Sequence, residues 1–176
     1  MKKLKIDVSK CSGCGQCALT CAFKTSGTFD LGKSAIRVLQ WEDFCLSVPV
    51  VCQQCDDARC IWACPAEALS RHPVTGAIMV DVDNCINCDA CRDECTYMVT
   101  RINESGLPVT CDLCNGDPLC VKACFPGALT FEEVPAEAWD PFRPFVDSLN
   151  ARYQGKHVPL PEGLRQLGDL LPPVEA

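Results

Sequence analysis

The apolar and polar positions along the chain alternate in short stretches. Leu4-Lys5-Ile6-Asp7-Val8 and Ile78-Met79-Val80-Asp81-Val82 both show the two-residue period of a half-buried strand. A turn sequence, His72-Pro73-Val74-Thr75-Gly76, precedes the second, so residues 68–70 and 77–82 are expected to pair as a hairpin. Residues 35–41 and 44–51 form another expected pair, with Glu42-Asp43 at the bend. From about Glu132 the pattern changes and Pro135, Pro141, Pro144, Pro159, Pro161, Pro172 and Pro173 punctuate a tail. Within it, Asp140 and Pro141 are expected to start a helix running to Gly155, with Phe142, Phe145, Val146, Leu149 and Tyr153 near a 3–4 spacing. Leu164, Leu167, Leu170 and Leu171 predict a second short helix. These faces are expected to pack on the chain's own body or to dock on a partner.

Between these elements lie cysteines, 17 in 176 residues, a density typical of disulfide scaffolds or metal proteins. They fall into four runs. The first and third share C-x2-C-x2-C-x3-C, at 11, 14, 17, 21 and at 85, 88, 91, 95. The second has an x4 gap, at 52, 55, 60, 64, and the fourth an x5 gap, at 111, 114, 120, 124. Only Cys45 is left over; it is expected to be a buried thiol on a strand. The last two cysteines of each run suit a short helical turn, in which residues four apart, such as Cys17 and Cys21, share one face. The hydrophobic fraction, 48%, includes the cysteines, so an ordinary core would be thin and something besides side-chain burial must hold the fold.

The N-terminus, Met1-Lys2-Lys3-Leu4-Lys5, is not followed by a signal-peptide apolar stretch, and no segment approaches the ~20 apolar residues of a membrane helix. A soluble, cytoplasmic protein is expected, and in a reducing cytosol dense cysteines point to metal ligation. The formal charge is −7, from 16 basic and 23 acidic residues, with no basic stripe for nucleic acid. It suits docking onto other proteins.

The thiols are candidates for zinc, for disulfides or for iron–sulfur clusters. Structural zinc usually takes two C-x2-C pairs across a long spacer. Three thiols within seven residues, with a fourth at x3, is instead the bacterial iron–sulfur signature: a tight loop wraps three corners of a [4Fe–4S] cube and the fourth cysteine reaches a neighbouring cube. Four runs imply four cubes in two modules. With four oxidised cubes the net charge would move from −7 to roughly −15. Metal–ligand bonds would then supply folding energy, and the chain without them would be unfolded or nearly so.

The runs, with Cys111-Asp112-Leu113-Cys114 opening the last and Cys64-Pro65-Ala66-Glu67-Ala68-Leu69 closing the second, resemble those of four-cluster ferredoxin subunits of molybdenum and tungsten oxidoreductases. That group includes the iron–sulfur subunits of dimethyl sulfoxide reductase, formate dehydrogenase, nitrate reductase and formate hydrogenlyase. The resemblance covers about residues 3–131 and leaves out the tail. It implies an α+β fold of two bacterial-type ferredoxin modules with short hairpins and short helices. Residues 1–34 and 100–131 would form the first, residues 35–99 the second, and residues 132–176 a packing or subunit-docking extension. It further implies four ligand sets: Cys11, Cys14, Cys17 with Cys124; Cys111, Cys114, Cys120 with Cys21; Cys52, Cys55, Cys60 with Cys95; and Cys85, Cys88, Cys91 with Cys64.

The chain departs from the family in having Cys95-Thr96 and Cys21-Ala22 where Cys-Pro is usual, which is expected to alter helix ends without losing a ligand. It is also expected to be compact and without a membrane anchor. Among relatives it is most similar to the small subunits of tungsten aldehyde:ferredoxin oxidoreductase-type complexes, including the related benzoyl-CoA reductase complexes. The resemblance implies an electron-transfer subunit of a hetero-oligomer, not catalytic alone. Its partners would be a large pterin-bound tungsten or molybdenum subunit and a flavoprotein or ferredoxin. A formate dehydrogenase or hydrogenase subunit, and a free-standing ferredoxin shuttle, are the alternatives. No P-loop, dinucleotide fingerprint or nucleophile–base pair is present. Trp62, inside the second run, is expected to shield a cube; Trp41 and Trp139 are expected to pack, His72 and His157 to be solvated, and Arg59, Arg92 and Lys122 to lie on the surface.

Overall fold

A computed structural model describes residues 2–42, 45–95, 97 and 99–134. The alternating residues at the start form β1 (Lys2–Ile6), which pairs antiparallel with β8 (Leu129–Glu133), a strand the alternation did not mark. Leu4 faces Phe131 and Ile6 faces Leu129 across this ribbon, and Lys5 pairs with Glu132 at 3.3 Å on its exposed side. The two expected hairpins are present: β2 (Arg37–Trp41) with β3 (Leu46–Val50), and β4 (Leu69–Arg71) with β5 (Ile78–Val80). A third, β6 (Arg101–Ile102) with β7 (Pro108–Val109), is too short to show a period. It turns on Asn103, whose Oδ1 accepts the N–H groups of Ser105 and Leu107, each at 2.9 Å.

Four helices carry the later cysteines of the runs: α1 (Gln16–Ser26), α2 (Arg59–Trp62), α3 (Ala90–Asp93) and α4 (Leu119–Lys122). Helix α1 has eleven residues where a single turn was expected. It continues through Cys21 and Ala22 until Gly27 caps it in the left-handed region. In the other runs the last cysteine lies beyond the helix, so the shared helical face holds only for the spacing of Cys17 and Cys21.

Helix α1 packs on α4, and α2 on α3. Runs one and four thus meet in one half, closed by β1–β8, and runs two and three in the other, closed by β4–β5. The larger core sets Leu4, Ile36, Val51 and Leu129 around Cys17, Cys111 and Cys120; the smaller sets Ala58, Leu69 and Ile78 around Cys91. Cys52 packs against both. The fold is small, α+β and ferredoxin-like, with cysteine standing where a larger apolar core would be. The tail helices expected after Asp140 lie outside the described residues.

Candidate iron–sulfur sites

Each run opens with the same backbone device. The residue before the second cysteine has a positive φ in all four: Gly13 (+73°), Gln54 (+52°), Asn87 (+55°) and Leu113 (+53°). This left-handed residue turns the C-x-x-C loop tightly, and its N–H folds back on the first thiol. The Gln54 N–H bonds to Cys52 and the Leu113 N–H to Cys111. Three of the four are not glycine, so the loop bears a conformation that costs about 1 kcal/mol or more for an ordinary side chain. At Gly13 a side chain has no room: a Cβ would lie 2.5 Å from Gln40 Nε2 and 2.6 Å from Ser47 Oγ, because the β2–β3 hairpin lies against this loop. The glycine before Cys14 and the asparagine before Cys88 were the visible signal of this turn, which reading the cysteine spacing alone passed over.

The sixteen run cysteines gather at four cavities. Cys11, Cys14 and Cys17 line one with Cys124; Val38 and Pro49 of the β2–β3 hairpin cover it. Cys111, Cys114 and Cys120 line a second with Cys21. Cys52, Cys55 and Cys60 line a third with Cys95. Cys85, Cys88 and Cys91 line the fourth with Cys64, under Ile102 and Pro108 of the β6–β7 hairpin. Cys17 and Cys21 stand on one helix but line different cavities. Within each quartet the thiols ring a space; among the described residues, no three His, Cys, Asp or Glu side chains come together as a site for a single ion.

The cavities follow one another. Cys120 of the second quartet feels the charge of Cys17 in the first, Cys52 of the third that of Cys111, and Cys91 of the fourth that of Cys60. Burial is the main influence on these thiols, pushing Cys17, Cys55 and Cys91 up to about 11, Cys111 and Cys120 to about 12, and Cys52 further. Thiols so placed ionise only for a cationic centre that replaces the lost water. Cys95 goes the other way. Burial raises it, but the Thr100 hydroxyl and the N–H groups of Thr100, Val99 and Tyr97 bond to its sulfur and hold it below its ordinary value. Further N–H donors point at the quartets: Ala35 to Cys21 Sγ at 3.4 Å and Ala68 to Cys64 Sγ at 3.2 Å. All-cysteine donor sets with N–H groups aimed at the sulfurs suit [4Fe–4S] clusters.

Two expectations are corrected. Trp62 is 85% exposed, on the solvent side of α2, and covers no cavity. Cys45 is exposed, in the turn before β3 with φ +47°, and so is neither buried nor on a strand. His72 does more than face solvent: its Nδ1 accepts the N–H groups of Val74 and Thr75 and shapes the β4–β5 turn. Arg92 pairs with Asp89 and Asp93, and Lys122 with Asp117, on the surface. Trp139 and His157 lie outside the described residues.

Known proteins agree with this picture. The 4Fe-4S dicluster domain family model matches residues 44–134, just over half of the chain. The polyferredoxin-like subunit of aliphatic sulfonate oxidoreductase from Pyrococcus furiosus is 42% identical over 120 residues, covering 68% of this chain and 69% of that one. Subunit beta of the NADH-dependent phenylglyoxylate dehydrogenase from Aromatoleum evansii is 37% identical over 130 residues; these are 72% of this chain but 29% of that one, so the chain spans less than a third of that relative. A chain of the solved active site complex BamBC of benzoyl coenzyme A reductase is 29% identical, covering 87% of this chain and 91% of that one. Its TM-score of 0.44 is too low to carry geometry from one to the other. With four cysteine runs gathered at four cavities, and a family match that runs from before the second to past the fourth, the chain belongs to the 4Fe-4S dicluster domain family.

Proposed function

We propose that the protein is an electron-transfer subunit of an oxidoreductase complex that holds four [4Fe–4S] clusters in a row. The observation that carries this reading is the gathering of the sixteen run cysteines into four quartets, each lining its own cavity. In this reading Cys11, Cys14, Cys17 and Cys124 hold one cluster, and Cys21, Cys111, Cys114 and Cys120 the next. Cys52, Cys55, Cys60 and Cys95 hold the third, and Cys64, Cys85, Cys88 and Cys91 the last. A bound cube takes up and returns one electron at a time. The protein's part is to hold the sites at fixed spacing, exclude water with the hairpins and supply N–H groups to the sulfurs. Four cysteines at each cavity leave no iron corner for a substrate, so the chain is not catalytic alone.

The two modules in this reading are residues 1–34 with 100–131, holding runs one and four, and residues 35–99, holding runs two and three. The β2–β3 hairpin of the second then covers a cavity of the first, and the β6–β7 hairpin of the first a cavity of the second. The catalytic partner in this reading is a pterin-bound tungsten or molybdenum subunit, of the aldehyde oxidoreductase type. A flavoprotein or ferredoxin stands at the far end, in the cytoplasm. The name of the Pyrococcus furiosus relative supports the place in an oxidoreductase complex.

An anaerobic native pull-down, with iron, sulfide, tungsten and molybdenum measured on one sample, tests this. The expected result is about sixteen iron per chain, four for each [4Fe–4S] cube, with tungsten or molybdenum on a co-eluting larger subunit. The same iron on a lone chain would make it a soluble shuttle and end the tungsten–molybdenum assignment.

A further inference from the structure

Two cations converge on one ligand loop. The loop from Cys52 to Cys55 turns at Gln54 and presents two successive carbonyls. Lys3 Nζ, from β1, donates to the Gln54 carbonyl at 2.6 Å. Arg71, from β4, donates to the Cys55 carbonyl and, at 2.8 Å, to that of Gly76. The Lys3 side chain is 3% exposed, and its carboxylate partner, Asp56 at 3.1 Å, is 55% exposed. The Arg71 guanidinium is held by neutral carbonyls; among the described residues no carboxylate forms an ion pair with it. Asp57 and Glu94 also line the cavity of this quartet, and Asp57 acts against the charge at Cys55. Both are exposed, as is Asp56, so water screens them, while the buried ammonium and the clamped guanidinium act through protein.

Near the second quartet Arg101 is held in a similar way, by the Leu31 and Ser34 carbonyls, but these belong to no cysteine loop. The cations beside the other run cysteines differ. Lys10, beside Cys11, pairs with Asp7, and Lys24, one turn beyond Cys21, with Asp112. Arg92, beside Cys91, pairs with Asp89 and Asp93, and Lys122, near Cys124, with Asp117. Each of these cations is at least one-third exposed or nearly so, and each meets a carboxylate. The third quartet also contains Cys95, whose sulfur takes the Thr100, Val99 and Tyr97 bonds described above. Added positive charge and hydrogen bonds to sulfur both favour the reduced, more negative form of an iron–sulfur centre.

We infer that Lys3 and Arg71 make the Cys52, Cys55, Cys60 and Cys95 site the most easily reduced of the four, the place where a first electron rests. Both are positioning residues: they act through the Gln54 and Cys55 carbonyls and their charge, and touch no iron. The inference rests on the four-cluster reading. Reduction adds one electron to that site, taken from a low-potential chemical reductant that is itself oxidised.

The test is stepwise potentiometric reduction of the full cluster-bearing chain, followed by electron paramagnetic resonance. Cys55→Ser is expected to alter or abolish the first step, at the most positive potential, and leave the later ones. Arg71→Gln and Lys3→Met are each expected to move that step to more negative potential, with Arg71→Lys holding it in place. The inference is overturned if Cys55→Ser changes a later step, or if the neutral variants keep their iron and leave the first step unmoved. Should a neutral variant lose its cluster, the Cys55→Ser order still decides. A wild-type chain with clearly fewer than about sixteen iron, the content of four cubes, would instead overturn the four-cluster reading itself.

Discussion

Gly13 and its counterparts show how much one backbone position can decide. Gln54, Asn87 and Leu113 adopt the same left-handed turn with side chains that have space, whereas the Gly13 position is backed by Gln40 and Ser47. Gly13→Ala therefore meets the left-handed penalty, about 1 kcal/mol or more, and makes the Gln40 and Ser47 side chains move aside. Its expected signature is a lower denaturant midpoint for bleaching of the visible absorbance. At this scale the sequence was legible where spacing is short and regular: sixteen cysteines recur in four runs, and the same sixteen line the four cavities. Cys45 and Trp62 were misread because residue type alone had to stand in for environment. A lone cysteine is usually buried and a tryptophan usually covers something, but the local turn and the solvent side of a four-residue helix turned both outward.

Helix α1 joins two sites by a single element. Cys17 lines the first cavity and Cys21 the second, with three residues between them to set the angle. Inserting one alanine between Leu19 and Thr20 rotates Cys21 by about 100° relative to Cys17. The first quartet should keep its geometry and the second lose a ligand, so iron per chain should fall from about sixteen to about twelve, one cube's worth. Loss of both clusters would mean the helix tolerates no change of register. The hairpins β2–β3 and β4–β5 were readable because their strands flank a bend or a proline turn. The β6–β7 hairpin was not, since two residues a side carry no period, and β8 was not, since its partner β1 lies at the other end of the described chain. Long-range pairing leaves no local pattern.

Over the molecule as a whole, cysteines occupy the middle of both cores, so much of what a larger protein gains from apolar burial depends here on what the thiols hold. Anaerobic removal of iron by a strong chelator is accordingly expected to collapse the far-ultraviolet circular dichroism toward that of an unfolded chain, and readdition of iron and sulfide to restore it. A chain that kept its secondary structure after losing its iron would show that the strand ribbons and apolar contacts suffice. The pairing of whole runs into halves lay beyond spacing and periodicity, which identify the members of each run but not which runs meet; that expectation came from the resemblance alone.

The β1–β8 ribbon also bears on the order in which the molecule is made. Its first strand leaves the ribosome well before its partner, and stays unpaired until Leu129–Glu133 follows. Runs two and three, with β4–β5 and β6–β7, are complete by Val109. The half that holds the earliest of the four runs is therefore the last to close, and Lys3 reaches its carbonyl from a strand that waits for the other end of the ribbon. A nascent chain stalled with Val109 clear of the exit tunnel should carry about eight iron, two cubes' worth, with the early cysteines Cys11, Cys14, Cys17 and Cys21 still open to alkylation. Maturation would then proceed from the middle of the chain outward, against the direction of translation for its first run.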